Sequence, residues 1–424
     1  MRILYLNSTY REGGAAIAAA RLMEAFYTES DIEVRMLVQK PPKQNAPMPA
    51  NVRAMLRRPW QKGPYWWRTQ RHRKQLRRYK TLPRSAFSTS CYGIRRLERH
   101  PWIQWADVLH LHWISDHYVS AATLQALGRL GKPIFWTLHD MWAFTGGCHY
   151  AGDCRRFQAA CGACPLLKSS TQEDLSRVEW QRKYNVYQAL KPKIICPSTW
   201  MLRESQSSSL LGRFVHQRIP YSLDTEIFSP PHQREGKPLP ARPHPFTLLF
   251  GGVNAANDPR KGFAYLLAAL EHLADEVPQE AFRLLVFGSE ADPSIVDQLP
   301  FPTGFTGKVR GDRKLAEVYR QADLFIAPSL EDNLPNTVIE ALACSLPIVA
   351  FNIGGMADMV QTDQTGYLAR PREAADLAQG IRFCADPDRF PRLRRQARQF
   401  ALRHFDAPVV AAQMLDAYQQ ALKG

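Results

Sequence analysis

The sequence predicts an α/β protein built from two doubly wound parallel sheets in series. Three observations carry that expectation. Short apolar runs recur along the chain with helix-length segments between them. The alternation breaks once, at a cluster of prolines between residues 230 and 245. It then resumes with similar spacing to the end of the chain. Strands that alternate with helices are covered on both faces, which suits a parallel sheet and continuous apolar strands.

Each element follows in order. Residues 2–7 (RILYLN) read as a buried strand, Gly13-Gly14 as a turn, 15–29 as a helix and 33–39 (EVRMLVQ) as the next strand. Further strands are expected at 106–113 (ADVLHLHW), 133–139 (PIFWTLH) and 193–198 (KIICPS). Pro230, Pro231, Pro238, Pro240, Pro243 and Pro245 can neither complete a sheet ladder nor continue a helix, so 229–245 reads as a linker. Strands return at 246–252 (FTLLFGG), 283–289 (RLLVFGS), 323–329 (DLFIAPS) and 348–352 (IVAFN). The expected domains are 1–228 and 246–406, with a final helix in 407–424. Ligands of such sheets bind outside the carboxyl ends of the strands, so a cleft between the domains is the expected site.

Composition narrows the class. A chain of 424 residues with 45% apolar and 22% charged residues has ample core, which excludes disordered, collagenous and disulfide-scaffold readings. No apolar run approaches the roughly 18 residues that a membrane span needs. The apolar start before Arg11 and Glu12 is too short for a signal peptide, so a cytoplasmic protein is expected. The formal charge of +16 is concentrated: residues 51–100 hold fifteen Lys/Arg against one acidic residue, Glu98. Such a patch attracts polyanions, whether nucleic acid or an anionic membrane face.

Several short patterns carry chemistry. Gly13-Gly14 lets backbone N–H groups approach an anion at a helix start, although it is not a full dinucleotide fingerprint. Arg260 and Lys261 sit on a turn after a strand, where adjacent cations suit a diphosphate. In SLEDNLPNTVIEALACSLPIVA (329–350), Asp332 lies in a loop and Glu340 follows in the next helix. Asn336 or Thr337 offers a cap oxygen, the first N–H groups suit a phosphate, and Glu340 suits two ribose hydroxyls. IGGMADMV (353–360) adds another glycine turn.

With these residues in place, the chain resembles the family 4 retaining glycosyltransferases of the GT-B fold, most closely over 246–370. Its acidic residue, seven intervening residues and glutamate correspond to Asp332 through Glu340, with the first carboxylate one methylene shorter than in the family. The resemblance implies transfer from a nucleotide diphosphate sugar with no metal required for catalysis. It implies that Glu340 holds the ribose, Asp332 touches the donor sugar and Lys261 meets phosphate. Gly252 stands where the family has an arginine, leaving Arg260 as a substitute, and Ser345 replaces a glycine. In the first half, Gly13-Gly14 corresponds to the family's glycine loop and WTLHD (136–140) to its strand-end histidine. His139 is thereby the residue expected against the donor sugar, and Asp140 is expected to orient it or meet an acceptor hydroxyl. The final helix is implied to return to the first domain.

Cys148, Cys154, Cys161 and Cys164 lie in the stretch 141–168, with a C-x2-C pair at its end. A structural zinc is the leading expectation, with reduced or redox-active thiols as the alternative and His149 as a substitute ligand. The same stretch resembles a colanic-acid-type, exopolysaccharide-building subset of the family. Residues 57–80 interleave Trp60, Tyr65, Trp66, Trp67 and Tyr79 with cations, which suits a lipid headgroup interface or stacking on single-stranded nucleic acid. Lipid-linked acceptors in similar enzymes favour the membrane, with residues 53–99 as its contact and nucleic acid disfavoured. The expected function is therefore transfer of a sugar to a saccharide or lipid-linked saccharide acceptor at the inner face of the cell membrane. A catalytically weak sugar-binding scaffold is the main alternative; a nucleic-acid-binding protein with a zinc knuckle is the other.

Overall fold

The computed structural model describes residues 1–423 except 28–30, 43–46, 57–58, 78, 80–85, 232–244, 253–254, 256 and 292–295. Most of the expected linker 229–245 therefore lies outside the described residues. The first sheet contains β1 (Arg2–Asn7), β2 (Glu33–Val38), β3 (Val52–Ala54), β4 (Val108–Leu111), β5 (Ile134–Thr137), β6 (Lys193–Cys196) and β7 (His216–Arg218). Their order is β3-β2-β1-β4-β5-β6-β7, every pair parallel. The second sheet contains β8 (Phe246–Gly251), β9 (Phe282–Phe287), β10 (Thr303–Phe305), β11 (Leu324–Ala327), β12 (Ile348–Phe351) and β13 (Gly366–Ala369). Its order is β10-β9-β8-β11-β12-β13, again parallel. In each sheet the strand order reverses beside its first strand, at β1/β4 and β8/β11, and a crevice opens there at the carboxyl ends.

The first series of helices is α1 (Gly14–Ala25), α2 (Pro59–Leu76), α3 (Pro101–Trp105), α4 (Ala121–Gly128), α5 (Leu175–Leu190) and α6 (Thr199–Ser207). The second is α7 (Phe263–Ala274), α8 (Asp312–Arg320), α9 (Asn336–Ala343), α10 (Ala374–Ala385), α11 (Phe390–His404) and α12 (Ala407–Lys423). Cap residues in the preceding loops set where several begin. Ser120 accepts from Thr123 N–H ahead of α4, Asp174 from Ser176 and Arg177 N–H ahead of α5, and Ser198 from Met201 N–H ahead of α6. Each such cap contributes about 1 kcal/mol.

Contacts divide the chain into one unit of residues 1–220 with 411–424 and another of 221–410. The core of the first includes Leu4, Leu6, Leu109, Leu111, Ile134 and Ile194. The core of the second includes Leu248, Phe250, Leu284, Leu324, Ile326 and Val349. Burying such a side chain contributes roughly 1.5–3 kcal/mol. The division falls after Pro220 rather than at the 228 read from sequence, because 221–229 are bound to the second unit. Leu223 N–H donates to Phe405 O (2.8 Å), and Thr225 Oγ1 to Asp406 Oδ1 (2.6 Å). Arg398 reaches the carbonyls of Thr225 and Phe228, and Arg320 those of Ile227 and Ser229. Among the described residues no helix is long and apolar enough to cross a membrane.

Candidate functional site

In the second unit, the loops after β8 and β11 meet at the crevice. The turn Pro259–Lys261 is opened by Asp258, whose side chain accepts from Arg260 N–H, and closed by Gly262 at φ +72°. A Cβ on Gly262 would stand 1.8 Å from Pro328 O, so the turn can lie on the loop after β11 only with glycine there. Gly354 (φ +50°) does the same for the IGG turn, where a Cβ would stand 1.9 Å from Asp332 O. Gly355 N–H also donates to Asp332 O (3.2 Å). Lys261 Nζ is consequently 2.7 Å from Asp332 Oδ2, in a pair that keeps some exposure. Asp332 Oδ1 accepts from Asn333 N–H at 3.0 Å. An ammonium has three donors and this pair uses one.

Helix α9 begins after Pro335 with no side-chain cap, which corrects the expectation that Asn336 or Thr337 supplies a cap oxygen. Both already lie inside the helix, past the position from which a side chain reaches back to the leading N–H groups. Val338 N–H returns to Pro335 O at 3.1 Å. One turn on, Glu340 is buried and its Oε2 accepts from Tyr319 OH of α8 at 2.8 Å. Thr337 and Gly252 approach each other: a Cβ on Gly252 would be 3.9 Å from Thr337 Cγ2. Lys261, Asp332, Asn336, Thr337 and Glu340 therefore belong to the loops after two neighbouring strands and to one short helix. Arg260 is half exposed and paired with Asp258 at 2.8 Å. The Asp386-x-Asp388 pattern closes on itself, with Asp386 Oδ1 accepting from Asp388 and Arg389 N–H (both 3.1 Å).

In the first unit, Gly13 (φ +89°) opens α1 and Gly14 is its first residue, with no acidic side chain in the first turn. His139 and Asp140 follow β5. The structure adds residues that were not singled out from sequence. His110 lies in β4 and His112 directly follows its end, its N–H still donating to Leu6 O (2.9 Å). Their rings stack at 4.3 Å, and His112 Nδ1 is 3.1 Å from His139 Nε2. His110 Nε2 pairs with Thr137 Oγ1 at 2.7 Å and its Nδ1 with Tyr418 OH of α12. Burial, then neighbouring imidazoles, lowers His110 to about 3 and drives His112 well below its ordinary value. Burial lowers His139 to about 4, opposed by Asp140. All three rings are neutral at pH 7.

Asp140 is engaged by donors from three other residues. Its Oδ2 accepts from Trp113 Nε1 (2.8 Å) and His149 Nδ1 (2.7 Å), and its Oδ1 from Trp142 N–H (2.8 Å). Burial works to raise the carboxyl, but His149 and these donors outweigh it and hold it below the usual range. His149 Nε2 continues to Ser88 Oγ at 2.9 Å. The following turn is pinned by the fully buried Lys183, which donates to the carbonyls of Trp142 and Thr145. Burial, opposed by Glu179, lowers that ammonium to about 8.

Cys148, Cys154, Cys161 and Cys164 line one small pocket with Phe87 and Phe157, and all four are free. Among the described residues no three His, Cys, Asp or Glu side chains are placed to hold a metal ion, so the expected zinc site is not formed. The aromatic rings share the lining, Gly146 N–H donates to Cys161 Sγ (3.2 Å), and His149 is committed to Asp140 and Ser88. Burial raises Cys148 to about 12 and Cys161 to about 11, so both are neutral thiols at pH 7.

Part of the basic stretch is helix α2. Tyr65 OH reaches Asp116 Oδ1 (3.3 Å) and the buried His72 pairs with Thr89 Oγ1 (3.0 Å), which seats the helix. Trp66 and Trp67 are 56% and 61% exposed, packed edge to face at 5.5 Å. Trp60 and the arginines at 57 and 58 are outside what the structure describes at side-chain level.

Comparison with known proteins bears on this arrangement. Residues 245–386 match the family described as glycosyl transferases group 1. A D-inositol 3-phosphate glycosyltransferase of Xylanimonas cellulosilytica is 29% identical over 362 residues, 78% of this chain and 76% of the relative. The fold is similar to sucrose-phosphate synthase from Thermosynechococcus elongatus, with TM-score 0.65, 19% identity and coverage of 100% and 99% of the two chains. It is also similar to Anabaena HepE, solved with UDP-glucose, with TM-score 0.61, 15% identity and coverage of 99% and 100%. The two Rossmann-like parallel-sheet units are those of the GT-B fold.

Proposed function

Starting from a chain that is a glycosyltransferase of the GT-B fold, we propose that it is a retaining enzyme of family 4. In this reading it moves a sugar from a nucleotide diphosphate sugar to a saccharide or lipid-linked saccharide acceptor in exopolysaccharide assembly. The observation that carries the reading is the Lys261–Asp332 pair beside the start of α9, with Glu340 one turn further. Lys261 and the leading N–H groups of α9 stabilise the departing diphosphate, which takes the electron pair of the sugar's anomeric C–O bond. Glu340 takes the ribose hydroxyls, and Asp332 and His139 meet the donor sugar. The acceptor oxygen attacks the face the diphosphate leaves and gives up its proton to the leaving phosphate. No metal is required by these groups. The UDP-glucose complex of HepE supports UDP-glucose as the first donor to try.

Binding tests this directly. A thermal-shift panel with UDP, GDP, ADP, CMP and their sugar conjugates should show stabilisation by one nucleotide class, lost in Glu340→Ala. A ligand held only by the folded state at a hundred times its dissociation constant adds about 2.7 kcal/mol. No shift with any nucleotide would favour a scaffold without donor binding.

The cationic helix α2 with its two exposed tryptophans supports attachment to an anionic membrane face. Sedimentation with vesicles containing phosphatidylserine should pull the protein down, weaken with salt, and fail in a Trp66→Ser, Trp67→Ser variant. Equal binding to neutral vesicles would contradict this part of the reading.

A further inference from the structure

Five buried ring and hydroxyl groups, those of His112, His110, Tyr5, Thr137 and Tyr418, are linked in a row with His139. We propose that His112 is a positioning residue that fixes the tautomer of His139, holding the ring proton of His139 on Nδ1. The inference rests on the reading of His139 as a donor-sugar residue, and it assigns the form in which that ring meets the sugar.

The argument starts from one shared hydrogen bond. His112 Nδ1 and His139 Nε2 are 3.1 Å apart, and both residues are buried. Between two neutral imidazoles, only one of these nitrogens can carry the proton. The choice is made at the far side of His112, whose Nε2 is shielded from solvent and has no hydrogen-bond partner among the described residues. A proton there would leave a buried N–H donor unpaired, which proteins tolerate less readily than an unpaired acceptor. The His112 proton therefore belongs on Nδ1, where it donates to His139. His139 Nε2 is then the acceptor, and a neutral His139 must hold its own proton on Nδ1.

The surroundings keep this arrangement from reversing. His112 lies between Tyr5, at 4.7 Å, and the stacked ring of His110. His110 is itself held at both nitrogens, by Thr137 and Tyr418. Asp140, next in sequence, accepts from Trp113, His149 and the Trp142 N–H. In many histidine sites a carboxylate sets the tautomer; here a second imidazole does so. A neutral ring avoids a buried charge and still presents a defined donor.

Long-range 1H–15N spectra of the full chain labelled with 15N-histidine test this at pH 7.5, with His139→Ala and His112→Asn used for assignment. Both rings should appear protonated at Nδ1. His112→Asn places an amide N–H near the position of the lost Nδ1–H and should leave His139 protonated at Nδ1. His112→Asp sets an acceptor there and should place a proton on His139 Nε2. A wild-type His139 protonated at Nε2 overturns the proposal, and so does a His139 spectrum unchanged in His112→Asp. If that variant fails to fold, the wild-type spectrum decides alone. Failure of the underlying site reading looks different: the nucleotide panel is then silent while the tautomers are as stated.

Discussion

Acidification should loosen the first unit well before the usual carboxylate range, and the buried histidines set the size of the effect. His139 falls from 6.5 to about 4 and His110 from 6.5 to about 3 on burial, so both are neutral in the folded state. Between those values and 6.5 the unfolded chain binds more protons than the folded one. The stability these groups contribute is complete above pH 6.5 and is lost as pH falls toward 4 and 3. Between pH 7 and 4.5, linkage gives a loss of about 2.4 kcal/mol for His139 alone and about the same for His110. Sharing a stack makes the two less than additive. The reporter is already built in, because all ten tryptophans fall between residues 60 and 200. Trp136 is buried and its indole donates to the His112 carbonyl. Urea unfolding followed by tryptophan fluorescence should thus give a stability at pH 4.5 that is lower by several kcal/mol. His139→Phe should lose about 2 kcal/mol less than wild type over the same interval, since it has no proton to take up at that site. Parallel pH curves for the two proteins would refute the assignment of a neutral, buried His139.

Three substitutions probe the rest. Gly262→Ala must carry a side chain at φ +72° with its Cβ against Pro328 O, so it should destabilise by about 2–4 kcal/mol and weaken UDP binding together. Normal melting with normal UDP affinity would show that the Lys261 turn does not need its glycine. Tyr319→Phe removes the hydroxyl held by Glu340 Oε2 and should weaken UDP binding by about tenfold in calorimetry, since hydrogen bonds to charged groups contribute about 1.5–3 kcal/mol. An unchanged affinity would detach Tyr319 from the site. Asp140→Asn sets an amide N–H among three donors and should cost the first unit about 2–4 kcal/mol by tryptophan fluorescence, leaving the UDP shift in place. Wild-type stability would mean that the Trp113–Asp140–His149 network is not structural.

What was legible in the sequence follows from how far apart the interacting residues are. Strands such as 2–7 and 348–352 show as short apolar runs because both of their faces are covered, and they appear as Arg2–Asn7 and Ile348–Phe351. The three-residue strands Val52–Ala54, His216–Arg218 and Thr303–Phe305 lie at sheet edges, carry polar residues and leave no such run. Gly366–Ala369, four residues long and opening on glycine, leaves no such run either. Lys261 and Asp332 could each be singled out by position after a strand. Their 2.7 Å contact depends on β8 and β11 being neighbours, and on two glycines that let the loops touch. The cysteine cluster shows the opposite case. Its spacing counted residues correctly and all four thiols do reach one pocket, but spacing says nothing of the directions in which sulfurs point or of the rings that share the lining. The pairing of Ser88 with His149 was hidden for a related reason: the bridge from Phe87 to Cys148 joins two loops 61 residues apart, and no periodicity announces it. His112 is the intermediate case. The alternation HLH puts His110 and His112 on one side of an extended segment by geometry alone, and β4 pairs with β5, so His139 lies at the neighbouring strand's end. Those two steps, a strand period and a strand order, bring the histidines within reach of one another. The burial that makes them neutral is a property of the folded sheet.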